Sequence, residues 1–213
     1  MPTNPSPPPS PTSSPRPGDA QHPPLGRLEV ICGPMFAGKS TELIRRLVEA
    51  SDAGLEVLGA KSAIDDRYHP TAITTHTDVR FDGLTVTHAR ELAEIETDVL
   101  GLDECHFFDE SLRDACRSLM DNGTRVILAG LDRTSFNEPF HEMGRLLVEA
   151  DEVTKLEGVC SICGRRAVHT VRLVESDDDI VVGGAGMFAN RCRSHIRTPP
   201  VYLGQRDSAP EPG

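Results

Sequence analysis

Apolar residues recur along the chain with two periods, and their alternation sets out an α/β fold. Arg27 to Cys32 alternates and closes on an apolar pair, which predicts a buried strand. A glycine-rich turn, Gly33 to Gly38, follows it. From about Ser40 to Ala53, Leu43, Leu47 and Ala50 fall on one face of a predicted helix, with Gly54 as its stop. Leu55 to Ala60 reads as a second strand. Residues 62–82 are rich in Thr, Asp and His without periodicity, and read as a long loop. Val99 to Leu102 is an apolar run ending in Asp103-Glu104. Ser111 to Met120 sets Leu112, Ala115, Cys116 and Leu119 on one helical stripe that stops at Asn122-Gly123. Arg125 to Ala129 predicts another buried strand. A last helix near 141–150 uses Met143, Leu146, Leu147 and Ala150. Strands alternating with helices predict a mostly parallel sheet flanked by helices. From about Lys155 the pattern changes to short β segments around cysteines.

The two ends lie outside this pattern. Residues 1–25 are dominated by Pro and Ser and cannot bury enough apolar area to offset their ordering entropy, so they read as a disordered tail. Residues 197–213 read as a loose tail. The predicted organisation is therefore a core domain over 26–154, a small cysteine-bearing domain over 155–196, and two tails.

Charge and composition narrow the function classes. The 213 residues carry a net charge of −11, against the cationic surface that a nucleic-acid binder needs. A local phosphate pocket remains compatible, because one lysine and a nest of backbone N–H groups suffice for it. No run of 18 apolar residues and no apolar leader are visible, so neither a membrane span nor a secretory signal is expected. The six cysteines read as metal ligands and small core residues of a cytoplasmic protein, rather than as disulfides.

Three motifs carry chemistry. Gly33-Pro34-Met35-Phe36-Ala37-Gly38-Lys39-Ser40 fits G-x-x-x-x-G-K-[ST] without a mismatch. The glycines permit backbone angles that turn successive N–H groups inward around phosphate oxygens. Lys39 is placed to neutralise the β- and γ-phosphates, Ser40 offers a hydroxyl to Mg²⁺, and the helix N-terminus favours the same anion. The bland alternative is a tight strand-to-helix turn. Asp103-Glu104 ends a strand at the sheet edge where ligands bind in open α/β folds. Asp103 is suited to the Mg²⁺ shell and Glu104 to a general base, whereas an acidic helix start leading into Asp109-Glu110 is the alternative. Cys160-Ser-Ile-Cys163 and Cys192-Arg-Ser-His195 form two knuckles with 28 residues between them. Four such ligands close a tetrahedral, structural zinc site. A redox Cys-x-x-Cys is the alternative, and Cys32, Cys105 and Cys116 read as core.

Taken together, the loop through Thr41, Asp103-Glu-Cys-His-Phe-Phe108, Gly130-Leu-Asp-Arg-Thr134, and the two knuckles with Gly183-Gly184-Ala185 between them resemble the zinc-containing thymidine kinases. The resemblance covers about Gly26 to His195. It implies phosphoryl transfer from ATP, with Mg²⁺, to the 5′-hydroxyl of thymidine, with residues 33–41 and Asp103 at the ATP and Glu104 as the base. It implies Arg67 near the reacting phosphate. Met35, Phe107, Leu131, Phe140, Thr170 and Phe188 are implied at the thymine, under a loop spanning Val182 to Asn190 that includes Gly183, Gly184 and Ala185. It also implies a homotetramer and feedback inhibition by dTTP. The chain departs from the family pattern at His106, where Gln is usual, and at Phe188, where Tyr is usual. It departs again at Ser135, an aromatic position, at Gly186-Met187, an acidic-then-lysine pair, and at Ile196. Two other readings stay open: a deoxynucleoside kinase with altered base preference, and a nucleic-acid-associated ATPase with a zinc ribbon.

Overall fold

In the computed structural model, the described residues are 26–64, 72–74, 80–175, 181 and 183–201. A seven-stranded sheet is built from β1 (Leu28–Cys32), β2 (Val57–Ser62), β3 (Ala72–Thr74), β4 (Arg80–Val86), β5 (Val99–Asp103), β6 (Arg125–Gly130) and β7 (Glu152–Lys155). Its order is β3-β4-β2-β5-β6-β1-β7, and every pairing is parallel except β3 with β4. The expected mostly parallel sheet flanked by helices is therefore present. Three α-helices accompany it: α1 (Lys39–Asp52), α2 (Ser111–Asp121) and α3 (Met143–Glu149).

The alternation in the strands sorts side chains to two cores. Leu28, Val30 and Cys32 of β1, Leu100 and Leu102 of β5, and Val126 and Leu128 of β6 pack with α2 residues Leu112, Ala115, Cys116 and Leu119 and with Met143 and Leu146 of α3. The intervening residues Ile31, Val99, Ile127 and Ala129 face Leu43, Ile44, Leu47 and Ala50 of α1. Strands buried on both faces read as continuous apolar runs, which is why β5 and β6 stand out in the sequence.

Several predicted boundaries move, each for a physical reason. α1 starts at Lys39, not Ser40, because Gly38 caps it in the left-handed region (φ 86°). β2 runs from Val57 to Ser62, since exposed Leu55 and Glu56 precede the paired register. The stretch 62–82, expected as a loop, contains β3 and the start of β4. β3 is the edge strand and β4 its neighbour, where sparse apolar residues suffice; Leu84 is exposed. α3 is shorter than 141–150: His141 is left-handed (φ 37°) and Ala150 is extended (ψ 136°), so both lie outside the helix. A 3₁₀ segment, Ala89–Glu94, packs beside α2 and has no clear counterpart in the pattern.

The C-terminal part forms two small antiparallel pairs, β8 (Gly158–Val159) with β9 (Arg166–Ala167), and β10 (His169–Arg172) with β11 (Phe188–Arg191). Among the described residues, no helix is long and apolar enough to cross a membrane.

One buried charge in β1 ties three elements together. The Glu29 carboxylate, 1% exposed, accepts from Arg46 of α1 at 2.6 Å and from Arg125 of β6 at 2.6 Å, with Arg27 at 3.1 Å. Burial alone would raise its pKa, but the Arg125 and Arg46 hydrogen bonds outweigh that and hold it below the ordinary 4.5. Its contribution to stability is thus fully present above that value and is lost as pH falls through the lowered one. Glu29→Ala, which takes the carboxylate from Arg125 and leaves Arg46 with Glu42, Glu152 and Thr154, is expected to cost about 1.5–3 kcal/mol in urea denaturation at pH 7. A loss under about 1 kcal/mol, the range of surface pairs, would show the network to be dispensable.

Candidate active site

β1 and β5 both flank β6 in parallel, so the turns leaving their carboxyl ends meet at one edge of the sheet. After β1 the chain makes the phosphate loop. Gly33 (φ 143°), Phe36 (φ 59°) and Gly38 (φ 86°) all take positive φ, as a loop that turns its N–H groups inward requires. Pro34 is buried, Ala37 is half-buried and Gly38 lies exposed at the head of α1. Lys39 is buried and donates to the Pro34 carbonyl at 2.8 Å. Burial pushes its pKa down, and the charges of Glu104, Asp103 and Asp132 oppose that shift. The loop lysine and the acidic pair thus stand at the same sheet edge, at the ends of β1 and β5.

Asp103 ends β5 with its carboxylate buried, accepting from the Ser40 hydroxyl and from the Glu104 N–H at 2.9 Å. Burial and the adjacent Glu104 charge raise its pKa to about 7. The Ser40 hydroxyl and this carboxylate could ligate one divalent cation, being hard oxygen donors side by side at a phosphate cradle. Thr41 follows on the exposed face of α1. Glu104 leaves the strand in the left-handed region (φ 52°, ψ 37°), a strained conformation for a non-glycine residue and one that turns its side chain off the sheet edge. The acidic helix-start alternative applies to a different residue: Asp109, not Asp103, accepts the Ser111 N–H at the head of α2.

The aromatic positions gather behind Glu104. His106 Nδ1 lies 3.4 Å from the Glu104 carboxylate and accepts the Leu131 N–H at 3.2 Å. Its ring contacts Phe107 at 4.2 Å and Phe140 at 4.5 Å between centroids. Phe107, Leu131 and Phe140 are thereby brought together, and Leu131 and Phe140 also join the α2-side core. Phe136, beside Ser135, places its ring 5.3 Å from the Arg172 guanidinium.

The β10–β11 hairpin reaches the loop from the other side. Met35 N–H donates to Thr170 Oγ1 at 2.9 Å, and Asn190 Nδ2 donates to the Met35 carbonyl at 2.7 Å. Phe188, opposite Arg172, is buried. Gly183 lies against Met187, Met187 N–H reaches the Gly184 carbonyl at 3.2 Å, and Ala185 bridges to Phe188. Arg67 and Val182 lie outside the described residues. Sequence reasoning missed Asn190 as a contact of the loop, and the His169–Asn137 hydrogen bond of 2.8 Å that pins β10 to the segment after β6. No local signal marks either, because each joins positions far apart in the chain.

The four knuckle residues converge. All four ligand atoms lie within 4.8 Å of one another. Cys163 Sγ is 3.7 Å from Cys192 Sγ, and His195 Nδ1 is 3.8 Å from Cys160 Sγ and 3.2 Å from Cys192 Sγ. A tetrahedral zinc with Zn–S near ~2.3 Å and Zn–N near ~2.1 Å needs edges of roughly 3.5–3.8 Å; the 3.7 and 3.8 Å edges match, the 3.2 Å edge is shorter, and no edge exceeds 4.8 Å. Burial raises the Cys160 pKa, but N–H groups of Cys192, Ile162 and Cys163 override it and bring the thiol to about 5, favouring thiolate. Cys32, Cys105 and Cys116 are buried core residues, their thiols pushed up by burial.

An α/β sheet whose edge carries such a cradle, with an acidic pair at the end of a nearby parallel strand, falls in the class of phosphate-loop nucleotide-binding proteins. More narrowly, the chain belongs to the thymidine kinase family, whose model matches residues 26–196. It is 37% identical over 190 residues to the thymidine kinase of a Rhodothermus species, covering 88% of this chain and 89% of that one. It is 41% identical over 186 residues to the thymidine kinase of Coprothermobacter proteolyticus, covering 84% and 94%. Among solved structures, AMPPCP-bound DnaA from Aquifex aeolicus is 17% identical with a TM-score of 0.37, over 64% of this chain and 41% of that one. That likeness is too loose to bear on function.

If the knuckles hold zinc, freshly purified protein carries about one zinc per chain by elemental analysis, and Cys192→Ser loses it. Metal-free wild-type protein with intact folding would contradict this.

Proposed function

We propose that this chain is an ATP-dependent thymidine kinase. The observation that supports it most directly is the placement of the phosphate loop and of Asp103-Glu104 at the carboxyl ends of β1 and β5 on one sheet edge, in a chain of the thymidine kinase family. In this reading residues 33–41 hold the triphosphate of ATP. Thymidine lies between Met35, Phe107, Leu131, Phe140, Thr170 and Phe188, under the segment that carries Gly183, Gly184 and Ala185. Glu104 accepts the proton of the sugar 5′-OH as that oxygen attacks the γ-phosphorus and the bond to the β–γ bridging oxygen breaks, leaving ADP and dTMP. Lys39 and Arg67 stabilise the charge spread over the transferring phosphoryl oxygens. Ser40 and Asp103 would hold Mg²⁺, which supplies further neutralisation of the phosphates when bound.

The same reading assigns residues 26–154 to a kinase domain and 155–196 to a zinc domain, flanked by tails at 1–25 and 197–213. It takes the protein to be a cytoplasmic homotetramer held in check by dTTP, with zinc in a structural role.

Transfer of labelled γ-phosphate to thymidine, with deoxyuridine and deoxycytidine as comparators, tests the reading. Thymidine is expected to be phosphorylated best; preference for deoxycytidine would favour instead the nucleoside kinase of altered base preference that Ser135 and Phe188 motivate. Glu104→Gln is expected to cut kcat by ~10²–10⁴-fold with MgATP affinity nearly unchanged. A variant that turns over at the wild-type rate would remove Glu104 from the role of base.

A further inference from the structure

The C-terminal hairpin grips the phosphate loop at Met35. Thr170 and Asn190 are directly opposed in the antiparallel β10–β11 pair, so their side chains leave the same face of the hairpin. One offers a hydroxyl oxygen to the Met35 N–H and the other an amide N–H to the Met35 carbonyl. A carbonyl can only accept, so the Asn190 amide nitrogen must face it. Both side chains belong to buried residues, at 5% and 6% exposure, which leaves little room for water to take over either bond.

Two further observations give this grip a purpose. Phe36, next to Met35, is held at φ 59° while being 39% exposed, so a strained backbone sits where burial alone does not enforce it. Fixing both backbone groups of the preceding residue is one way to hold that turn. On the other side, the Asn190 carbonyl accepts from the N–H and the hydroxyl of Ser161, at 3.0 and 3.2 Å. Ser161 lies inside the Cys160–Cys163 knuckle, and Asn190 stands two residues before Cys192. One residue therefore hydrogen-bonds to the knuckle through its backbone and to the phosphate loop through its side chain. Gly158 makes space for it: a Cβ there would come within 2.2 Å of Asn190 Nδ2.

We infer that Asn190 is a positioning residue for the phosphate loop, clamping Met35 together with Thr170 so that the zinc-knuckle hairpin sets the loop shape that binds MgATP. The inference rests on the reading of residues 33–41 as the triphosphate cradle. It predicts that the knuckles serve the ATP side of the site as well as the nucleoside side.

The test measures binding of a non-hydrolysable MgATP analogue by calorimetry on the full chain, with zinc content determined in parallel. Asn190→Ala removes the donor. Gly158→Ala keeps the amide but displaces it, since the amide is the flexible partner in that clash. Both are expected to weaken analogue binding about 10-fold, as loss of a buried hydrogen bond would, with zinc retained. Wild-type affinity in either zinc-bound variant overturns the proposal and leaves the kinase reading intact. Should Asn190→Ala fail to fold, Gly158→Ala decides alone. A wild-type chain that binds no analogue overturns both the cradle and the clamp.

Discussion

The convergence of a buried lysine and an acidic pair on one sheet edge is the constraint on which the site depends. An ammonium removed from water is costly; Lys39 donates to the Pro34 carbonyl at 2.8 Å, and the charges of Glu104, Asp103 and Asp132 offset only part of its burial, so its pKa stays lowered. That arrangement is possible only because the parallel order β5-β6-β1 delivers the end of one strand's acidic pair and the start of another's phosphate loop to one edge. The sheet interior is regular; the irregular backbone collects at that edge. Phe36 and Glu104, two of four left-handed non-glycine residues among those described, sit in the loop and at the end of β5. Strain at these two residues is maintained by a scaffold whose two cores fix β1 and β5 from both faces.

The C-terminal hairpins have little core of their own, and two-stranded ribbons are marginal in water. Their order comes from outside contacts: the four converging knuckle ligands, the bonds to Met35, and the His169–Asn137 bond. The four converging groups, which could hold a zinc ion, thus sit on a hairpin that lies against both the phosphate loop and the segment after β6.

What could be read from the chain divides by range of interaction. The loop was legible because its glycines, Lys39 and Ser40 meet demands that are local in the chain, and the knuckles because ligand spacing is itself a signal. The central strands were legible because burial on both faces leaves an unbroken apolar run. β3 and β4 were not, since the outermost pairing asks little of side chains and Leu84 of β4 remains exposed. The end of α3 turned on the backbone angles of His141 and Ala150, which composition does not reveal. Least legible were Asn190 and His106. One is a polar residue in a short strand, given its role by a loop 155 positions away. The other stands out only as a departure from a family pattern, and its contacts with Glu104, Leu131 and Phe140 emerge only in the folded chain.

The most direct measurement is a crystal structure with a bisubstrate ligand, thymidine joined to adenosine through a phosphate chain. The account predicts phosphate oxygens at Lys39 Nζ and the sugar 5′ oxygen within about 2.6–3.2 Å of a Glu104 carboxylate oxygen. A ligand bound with its phosphates away from Lys39, or with its 5′ oxygen beyond reach of Glu104, would contradict it.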